Sequence, residues 1–155
     1  MGEQYLPPSD FLQAVIAETV PFGANDLGEI NLKRLITMTS DSHDANRDWA
    51  TLLLSQLELD RADVRDALIA ATADTASSVR AEAILGLAQI DAALALPFLQ
   101  AELTGEAIQM PLLEAAVIVA DPSLLYELEA FASPSDDAFL DSLVLEAIEA
   151  CQPRD

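Results

Sequence analysis

The sequence predicts an all-α protein: an α-solenoid of about four antiparallel helix pairs that follow one N-terminal leader helix. The first observation is a register that repeats every 32 residues, a period that indicates stacked supersecondary units. The second is that apolar residues recur at helical spacing along the chain, so that no strand is predicted. The third is a composition of 52% apolar but only 5% aromatic residues, which suits closely packed helices better than a sheet.

The register has two parts, one in each helix of a unit. In the first helices two apolar series fall in step: Leu32, Val64, Leu96 and Leu128, and Leu35, Ala67, Leu99 and Phe131. In the second helices a glutamate precedes a small residue at Glu82-Ala83, Glu114-Ala115 and Glu146-Ala147. Trp49-Ala50 joins this series if the first unit carries one extra residue near residues 40–45. We expect the alanines to face a neighbouring helix at close range and the glutamates to turn away from it.

Start and stop signals divide the chain into nine helices. Ser9 or Asp10 can cap the leader helix, and Pro21 and Gly23 follow its end. The candidate caps of later helices are Asp60, Thr75 or Ser77, Asp91, Asp121 before Pro122, and Ser133 before Pro134. The predicted helices cover residues 11–19, 27–38, 46–59, 61–73, 78–90, 91–103, 106–120, a segment that follows Asp121-Pro122, and 136–151. We therefore predict a single domain over residues 1–155, with the leader helix and cap at 1–25, four helical hairpins at 26–151 and a tail at 152–155.

Acidic residues dominate the charge of the chain. There are 27 Asp and Glu against seven Lys and Arg, for a net charge of −20, and no basic residue occurs between Ala81 and Pro153. Such a surface repels nucleic acid and anionic membranes, because binding to either depends on cationic side chains. A basic protein is the favoured partner. The alternative is that the acidity only keeps an Ala/Leu-rich protein soluble.

Other sequence features concern the compartment. No apolar stretch approaches the roughly 18 residues of a transmembrane helix, and residues 1–10 lack the basic-then-apolar pattern of a signal peptide. Cys151 is the single cysteine and cannot form an internal disulfide. We therefore expect a cytoplasmic protein.

Residues 74–87 resemble a known repeat family. They read Asp-Thr-Ala-Ser-Ser-Val-Arg-Ala-Glu-Ala-Ile-Leu-Gly-Leu, which is similar to a HEAT repeat of the short bacterial type, a unit that also occurs in bilin lyases. The second helix of that unit begins Val-Arg-x-x-Ala and ends Leu-Gly. Residues 46–50 are a divergent copy, whereas Leu112 and Val144 replace the arginine in the last two units. The resemblance covers roughly residues 26–151, and the tetratricopeptide and ankyrin signatures are missing.

The resemblance implies roles for several residues. In HEAT-like stacks an Asp and an Arg usually join neighbouring repeats, so Asp74, Arg47 and Arg80 are expected to be structural. The second helices of such stacks line the concave side. Stacked helical repeats mostly serve as binding surfaces.

Residues that could carry catalysis are sparse. His43 is the only histidine, and Ser42 and Asp44 are its direct neighbours, which does not usually allow the geometry of a nucleophile, base and orienter. Metal sites need several His, Cys or carboxylate ligands that converge, and neither a His-Glu pair nor a calcium-loop spacing occurs. We expect no enzymatic activity, no catalytic residues, no metal and no cofactor.

The predicted binding face lies on the second helices. Its residues share the phase of the repeated glutamates or follow one or two turns later: Trp49, Leu52, Glu82, Leu85, Gln89, Glu114, Val117, Asp121, Glu146 and Glu149. Apolar contacts on this face would supply affinity, and the acidic rim would set the choice of partner. Two interpretations of Trp49 stay open, an interface anchor or a core residue of an end repeat.

Two functions fit these features. The first is a non-enzymatic protein–protein interaction module, an adaptor or regulator, that binds a basic partner through its concave face. The second is an acidic immunity or inhibitor protein that neutralises a basic toxin such as a nuclease. The sequence leaves the oligomeric state open.

Overall fold

The computed structural model describes residues 5–105 and 108–154. Within these ranges all regular structure is helical, which confirms the all-α prediction. The helices are α1 (Asp10–Ile16), α2 (Asp26–Met38), α3 (Asp44–Gln56), α4 (Ala62–Ala71), α5 (Ser77–Ile90), α6 (Ala92–Leu103), α7 (Met110–Val119), α8 (Leu125–Glu129) and α9 (Ala138–Cys151). A 3₁₀ turn at Pro122–Leu124 leads directly into α8, so the segment after Asp121 is a composite of two short pieces.

Three predicted caps are present. The side chains of Ser9, Asp91 and Asp121 each accept a hydrogen bond from a backbone N–H two or three residues further on, at 3.3, 3.1 and 2.9 Å respectively. Each bond satisfies an N–H group that has no partner inside the helix. These positions fix where α1, α6 and the 3₁₀ turn begin.

The predicted start of α7 is wrong. The helix begins at Met110 rather than at Glu106, which lies outside the described residues. Pro111 favours the later start, because proline lacks an N–H and is tolerated best in the first turn of a helix.

The starts of α4 and α9 also differ from the prediction. Asp137 caps α9 in place of Ser133, and its Oδ1 accepts an N–H three residues further on at 3.0 Å. Arg61 occupies the N-cap position of α4 without a side-chain cap bond. The predicted cap, Asp60, instead accepts a hydrogen bond from Nε of Arg65 at 2.6 Å. The guanidinium therefore competes successfully with the backbone for this carboxylate.

The chain forms two compact units, Met1–Ala83 and Ile84–Asp155, and the division falls within α5. In the first unit α2 packs on α3 and α4, α3 packs on α4, and α1 packs on α3. Leucines fill its centre, and the largest fully buried ones are Leu12, Leu35, Leu54 and Leu68.

In the second unit α7 packs on α6 and α9, and α8 packs on the same two helices. Cys151 lies in this core, where its Sγ donates a hydrogen bond to the carbonyl of Ala116 at 3.6 Å. Leu113 on α7 is fully buried, whereas Leu145, at the same register position on α9, is 60% exposed. The last helix therefore carries an apolar side chain that faces solvent.

The small residues of the register are buried as expected. Ala83, Ala115 and Ala147 have no exposed surface, whereas Glu114 and Glu146, which precede two of them, are exposed. Small side chains thus mark the sides of these helices that face the core.

A polar link joins Asp74, in the loop between α4 and α5, to α3, which belongs to the preceding unit of the 32-residue register. Arg47 on α3 donates from Nε to Oδ2 of Asp74 at 2.9 Å and from Nη2 to Oδ1 at 3.3 Å, and the two side chains are only 17% and 10% exposed. Nη1 of Arg47 also donates to the carbonyls of Asp41 and Ser42. Arg80 repeats this pattern on the two corresponding carbonyls 33 residues later. The bonds give these residues the structural role that the HEAT resemblance implies.

Candidate partner-binding site

A cavity of about 140 Å³ lies in the first unit. Its lining combines two aromatic rings, a leucine and two carboxylates: Tyr5 from the segment before α1, Asp48, Trp49 and Leu52 from α3, and Glu82 from α5. Helix α3 supplies three of them because Leu52 lies four residues after Asp48 and three after Trp49, spacings that place side chains on the same side of a helix. Three of the ten predicted binding residues, Trp49, Leu52 and Glu82, are therefore brought together here. We refer to it as the aromatic–acidic cavity.

The aromatic pair forms one wall of the cavity. The rings of Tyr5 and Trp49 stack with centroids 6.1 Å apart and an angle of 26° between their planes. The hydroxyl of Tyr5 donates a hydrogen bond to Oδ2 of Asp48 at 3.1 Å. This bond and the stacking hold the N-terminal segment against α3, while Tyr5 itself stays 57% exposed.

The acidic side of the cavity is incompletely solvated. Burial raises the pKa of the Asp48 carboxyl, and hydrogen bonds from Tyr5 and Ser78 oppose that shift. Although most of Tyr5 is exposed, partial loss of water around its hydroxyl and then the Asp48 carboxylate raise the pKa of Tyr5 to about 12. Both shifts have the same physical origin, because water stabilises the charged form of each group poorly at this place. A cation placed in the cavity would relieve that cost.

Trp49 is half-buried, so it is neither a fully buried core residue nor a fully exposed interface anchor. Its indole Nε1 is shielded from solvent and has no hydrogen-bond acceptor among the residues that the structure describes. The ring itself lines the aromatic–acidic cavity. Trp49 is therefore partly covered by the surrounding protein and also presents aromatic surface to the cavity.

Four predicted binding residues lie on α7 and α9 in the second unit. Glu114 and Val117 are on α7, and Glu146 and Glu149 are on α9, which packs against α7. The three glutamates are exposed and Val117 is half-buried. That the glutamates share one face with Trp49 and Glu82 stays a prediction.

The three other predicted residues differ in how accessible they are. Leu85 is only 8% exposed, so its side chain belongs to the core and offers almost no surface to a partner. The carboxylate of Asp121 accepts the N–H of Ser123, and this bond holds its pKa below the ordinary value. Asp121 is therefore primarily a helix cap. Gln89 is exposed on α5.

Two residues of the aromatic–acidic cavity were missed by the sequence interpretation. Tyr5 lies outside the repeats and meets Asp48 across 43 residues of chain, which no periodicity reveals. Asp48 directly precedes Trp49, and an acidic residue next to the only tryptophan was a signal that could have been used.

The polar loop around His43 has a structural role. Nδ1 of His43 accepts the backbone N–H of Ala45 at 3.2 Å and caps α3. Among the described residues, no three or more His, Cys, Asp or Glu side chains are grouped in a way that could hold a metal ion.

A wider groove of about 700 Å³ lies elsewhere in the first unit. It is lined by the end of α2, by α4 and by the Arg47–Asp74 link, and the described residues of its lining include no aromatic ring. Because Arg47 is already bonded to Asp74 and to backbone carbonyls, this groove offers a less complete recognition surface than the aromatic–acidic cavity.

Comparison with known proteins shows that a solved structure shares this fold, but it assigns the chain to no family. Neither the family models nor the sequences of curated proteins match this chain. The X-ray structure of YibA from Escherichia coli, a structural genomics target, is similar, with a TM-score of 0.63 at 22% sequence identity. The likeness covers 91% of this chain and 54% of YibA, so the chain spans about half the length of that protein. In the part of the chain that the structure describes, no helix is both long and apolar enough to cross a bilayer.

Proposed function

We propose that this protein is a non-enzymatic interaction module, an adaptor or regulator, that binds a basic protein partner. The aromatic–acidic cavity carries the proposal. Its rings and Leu52 supply apolar contact area, and Asp48 and Glu82 favour a positively charged group. The net charge of −20 adds a long-range attraction that raises the rate of encounter with such a partner.

We further propose that the helices stack as a HEAT-like α-solenoid in which α3, α5, α7 and α9 form the binding side. The register, the fully buried alanines Ala83, Ala115 and Ala147, and the Arg47–Asp74 link support this arrangement. The fold shared with YibA is compatible with it. On this side the exposed Glu114 and Glu146 would extend the acidic surface.

Matched affinity baits test the proposal. Immobilised wild-type protein and the double variant Trp49→Leu/Glu82→Gln are exposed to the same native lysate, and the captured proteins are quantified by mass spectrometry. A variant with Tyr126→Leu and Glu129→Gln is the control, because it removes one ring and one charge from exposed positions on α8.

We expect one or a few basic proteins that wild type and the control capture and the double variant loses. Their capture should weaken as salt rises from low to physiological concentration, because screening reduces attraction between exposed charges. Identical captures with all three baits, or partners without excess positive charge, would contradict the proposal.

An inhibitor of a basic toxin would use the same recognition chemistry, and the extreme acidity of a small chain favours this second function. Activity assays on the captured partner separate the two. A nuclease or other toxin that loses activity in the complex supports inhibition. A partner that remains active supports the adaptor function.

A further inference from the structure

We infer that the aromatic–acidic cavity is a slot for a single arginine side chain presented by the basic partner. The inference rests on the proposed function and specifies which chemical group the site recognises. It concerns only Tyr5, Asp48, Trp49, Leu52 and Glu82, all of which belong to the first unit.

The size of the cavity fits one side chain. Its volume of about 140 Å³ lies well below the ~300 Å³ at which small-molecule pockets begin. It nevertheless exceeds the ~30 Å³ that one water molecule occupies in the liquid. A planar head group with the adjoining methylene groups is therefore a better match than either a solvent molecule or a folded segment.

The charge of the lining selects a cation. Asp48 and Glu82 contribute two carboxylates, and none of the described lining residues is basic. The four residues that precede Tyr5 contain no Lys or Arg either. The carboxyl of Asp48 is partly removed from water, which is why its pKa is raised. An incoming positive charge would gain more from such a group than from a fully hydrated carboxylate.

The aromatic wall selects arginine over lysine. A guanidinium is planar, weakly hydrated and able to stack on an aromatic face while its N–H groups reach carboxylates, whereas an ammonium is a strongly hydrated point charge. The chain already contains one such contact, because Cζ of Arg34 lies 4.3 Å from the ring centroid of Phe11. The Arg47–Asp74 link shows the bidentate guanidinium–carboxylate contact in the same unit.

Labelled peptides test the inference directly. Three Gly/Ser peptides of equal length are compared, which carry three arginines, three lysines, or three citrullines as the neutral isostere of arginine. Fluorescence anisotropy gives their affinity for the full chain at low and at physiological salt. Because Trp49 is the only tryptophan in the chain, its intrinsic emission independently reports whether an unlabelled peptide enters the cavity.

We expect the arginine peptide to bind about tenfold more tightly than the citrulline peptide and about threefold more tightly than the lysine peptide, because charge and stacking both contribute. Trp49→Leu should weaken arginine binding about fivefold to tenfold without altering the net charge. Trp49→Phe should weaken binding of the arginine peptide less, since it keeps an aromatic ring and removes no hydrogen bond to a described residue. The emission of Trp49 should change with the arginine peptide and not with the citrulline peptide.

Matched controls separate the cavity from general attraction to an acidic protein. Glu82→Gln and Glu129→Gln each remove one negative charge, and Trp49→Leu and Tyr126→Leu each remove one ring. The cavity variants should weaken arginine binding severalfold and the two α8 variants less than about twofold. Equal effects of Glu82→Gln and Glu129→Gln, equal affinity for arginine and citrulline, or an unchanged Trp49 emission would each overturn the inference. Circular dichroism checks that each variant is folded. If Trp49→Leu does not fold, Trp49→Phe tests the contribution of the indole ring in its place.

The outcome is distinguishable from that of the proposed function. If the matched baits capture a basic partner whose binding depends on Trp49 and Glu82, but the peptides show no arginine preference, this inference fails while the proposed function stands. If the arginine peptide binds as expected and the baits capture no basic partner, the slot stands while the proposed function fails.

Discussion

Replacement of Arg47 by Met is expected to destabilise the first unit strongly. The substitution keeps an unbranched side chain of similar length but leaves the carboxylate of Asp74, which is only 10% exposed, without its cation. Removing one partner of a well-buried ion pair costs about 3–5 kcal/mol. Because both side chains retain some exposure and the N–H of Ala76 still bonds Oδ1 of Asp74 at 2.9 Å, we expect a loss at or just below the lower end of that range, about 2–3 kcal/mol.

Urea unfolding followed by the emission of Trp49 measures this loss in the unit that contains Arg47. For a chain of this size a loss of 2–3 kcal/mol corresponds to a fall in Tm of about 5–10 °C. A double-mutant cycle with Asp74→Asn isolates the interaction, and the coupling between the two side chains should reach about 1.5 kcal/mol or more. Arg47→Lys should recover only part of the stability, because an ammonium cannot make the bidentate contact.

Arg61 provides a matched control for this experiment. It also forms ion pairs, with Glu29 and Asp63, but the three side chains are 37%, 42% and 38% exposed. Surface pairs of this kind contribute little because water and salt screen them, so Arg61→Met should cost much less than Arg47→Met. Equal losses for the two variants, or a coupling energy near zero between Arg47 and Asp74, would refute the structural role that we assign to the link.

Other residues give tests of the core and of the cavity. Burial raises the pKa of the Cys151 thiol, so a thiol reagent should modify native protein only as fast as the second unit opens, and unfolded protein at once. Leu113→Ala should cost about 3 kcal/mol and Leu145→Ala less than about 0.5 kcal/mol in urea unfolding, because only Leu113 is buried. Comparable costs for the two substitutions would contradict this, because they would show that Leu145 on α9 is buried in solution. Because burial raises the pKa of Asp48 above 3.8, the folded protein binds more protons than the unfolded chain just above that pH. The stability of wild type relative to Asp48→Asn should therefore fall as pH rises through the raised pKa and be constant at higher pH, and urea titrations across the acidic range would contradict this if the difference rose.

Much of the helical layout could be predicted from the sequence because its signals are local. Caps such as Ser9 and Asp91 bond N–H groups within three residues, so their effect depends on few neighbours. The predicted cap of α4 failed because a second partner competed for the carboxylate. Asp60 is a good cap by residue type, but Arg65 lies close enough to take its carboxylate.

The candidate site was predictable only where it follows the register. Trp49, Leu52 and Glu82 share a helical phase, and the structure brings them together. Leu85 has a similar helical phase and is nevertheless buried. The phase predicts on which side of the helix a side chain lies, but not whether another part of the protein packs over that side. Tyr5 completes the aromatic wall through a contact that joins distant parts of the chain, and single-sequence periodicity contains no information about such a contact.

Asp74 has a consequence for how the first unit opens. Its carboxylate holds the guanidinium of Arg47, whose Nη1 in turn fixes the carbonyls of Asp41 and Ser42, while its own carbonyl accepts from Arg80. One residue therefore couples two successive interhelical loops. In a nearest-neighbour description of the proposed repeat stack, such shared bonds supply the interface term that makes adjacent repeats melt together. Amide hydrogen exchange should accordingly find the N–H groups of His43 and Ala76, each bonded to an aspartate of its own loop, opening with a single common free energy.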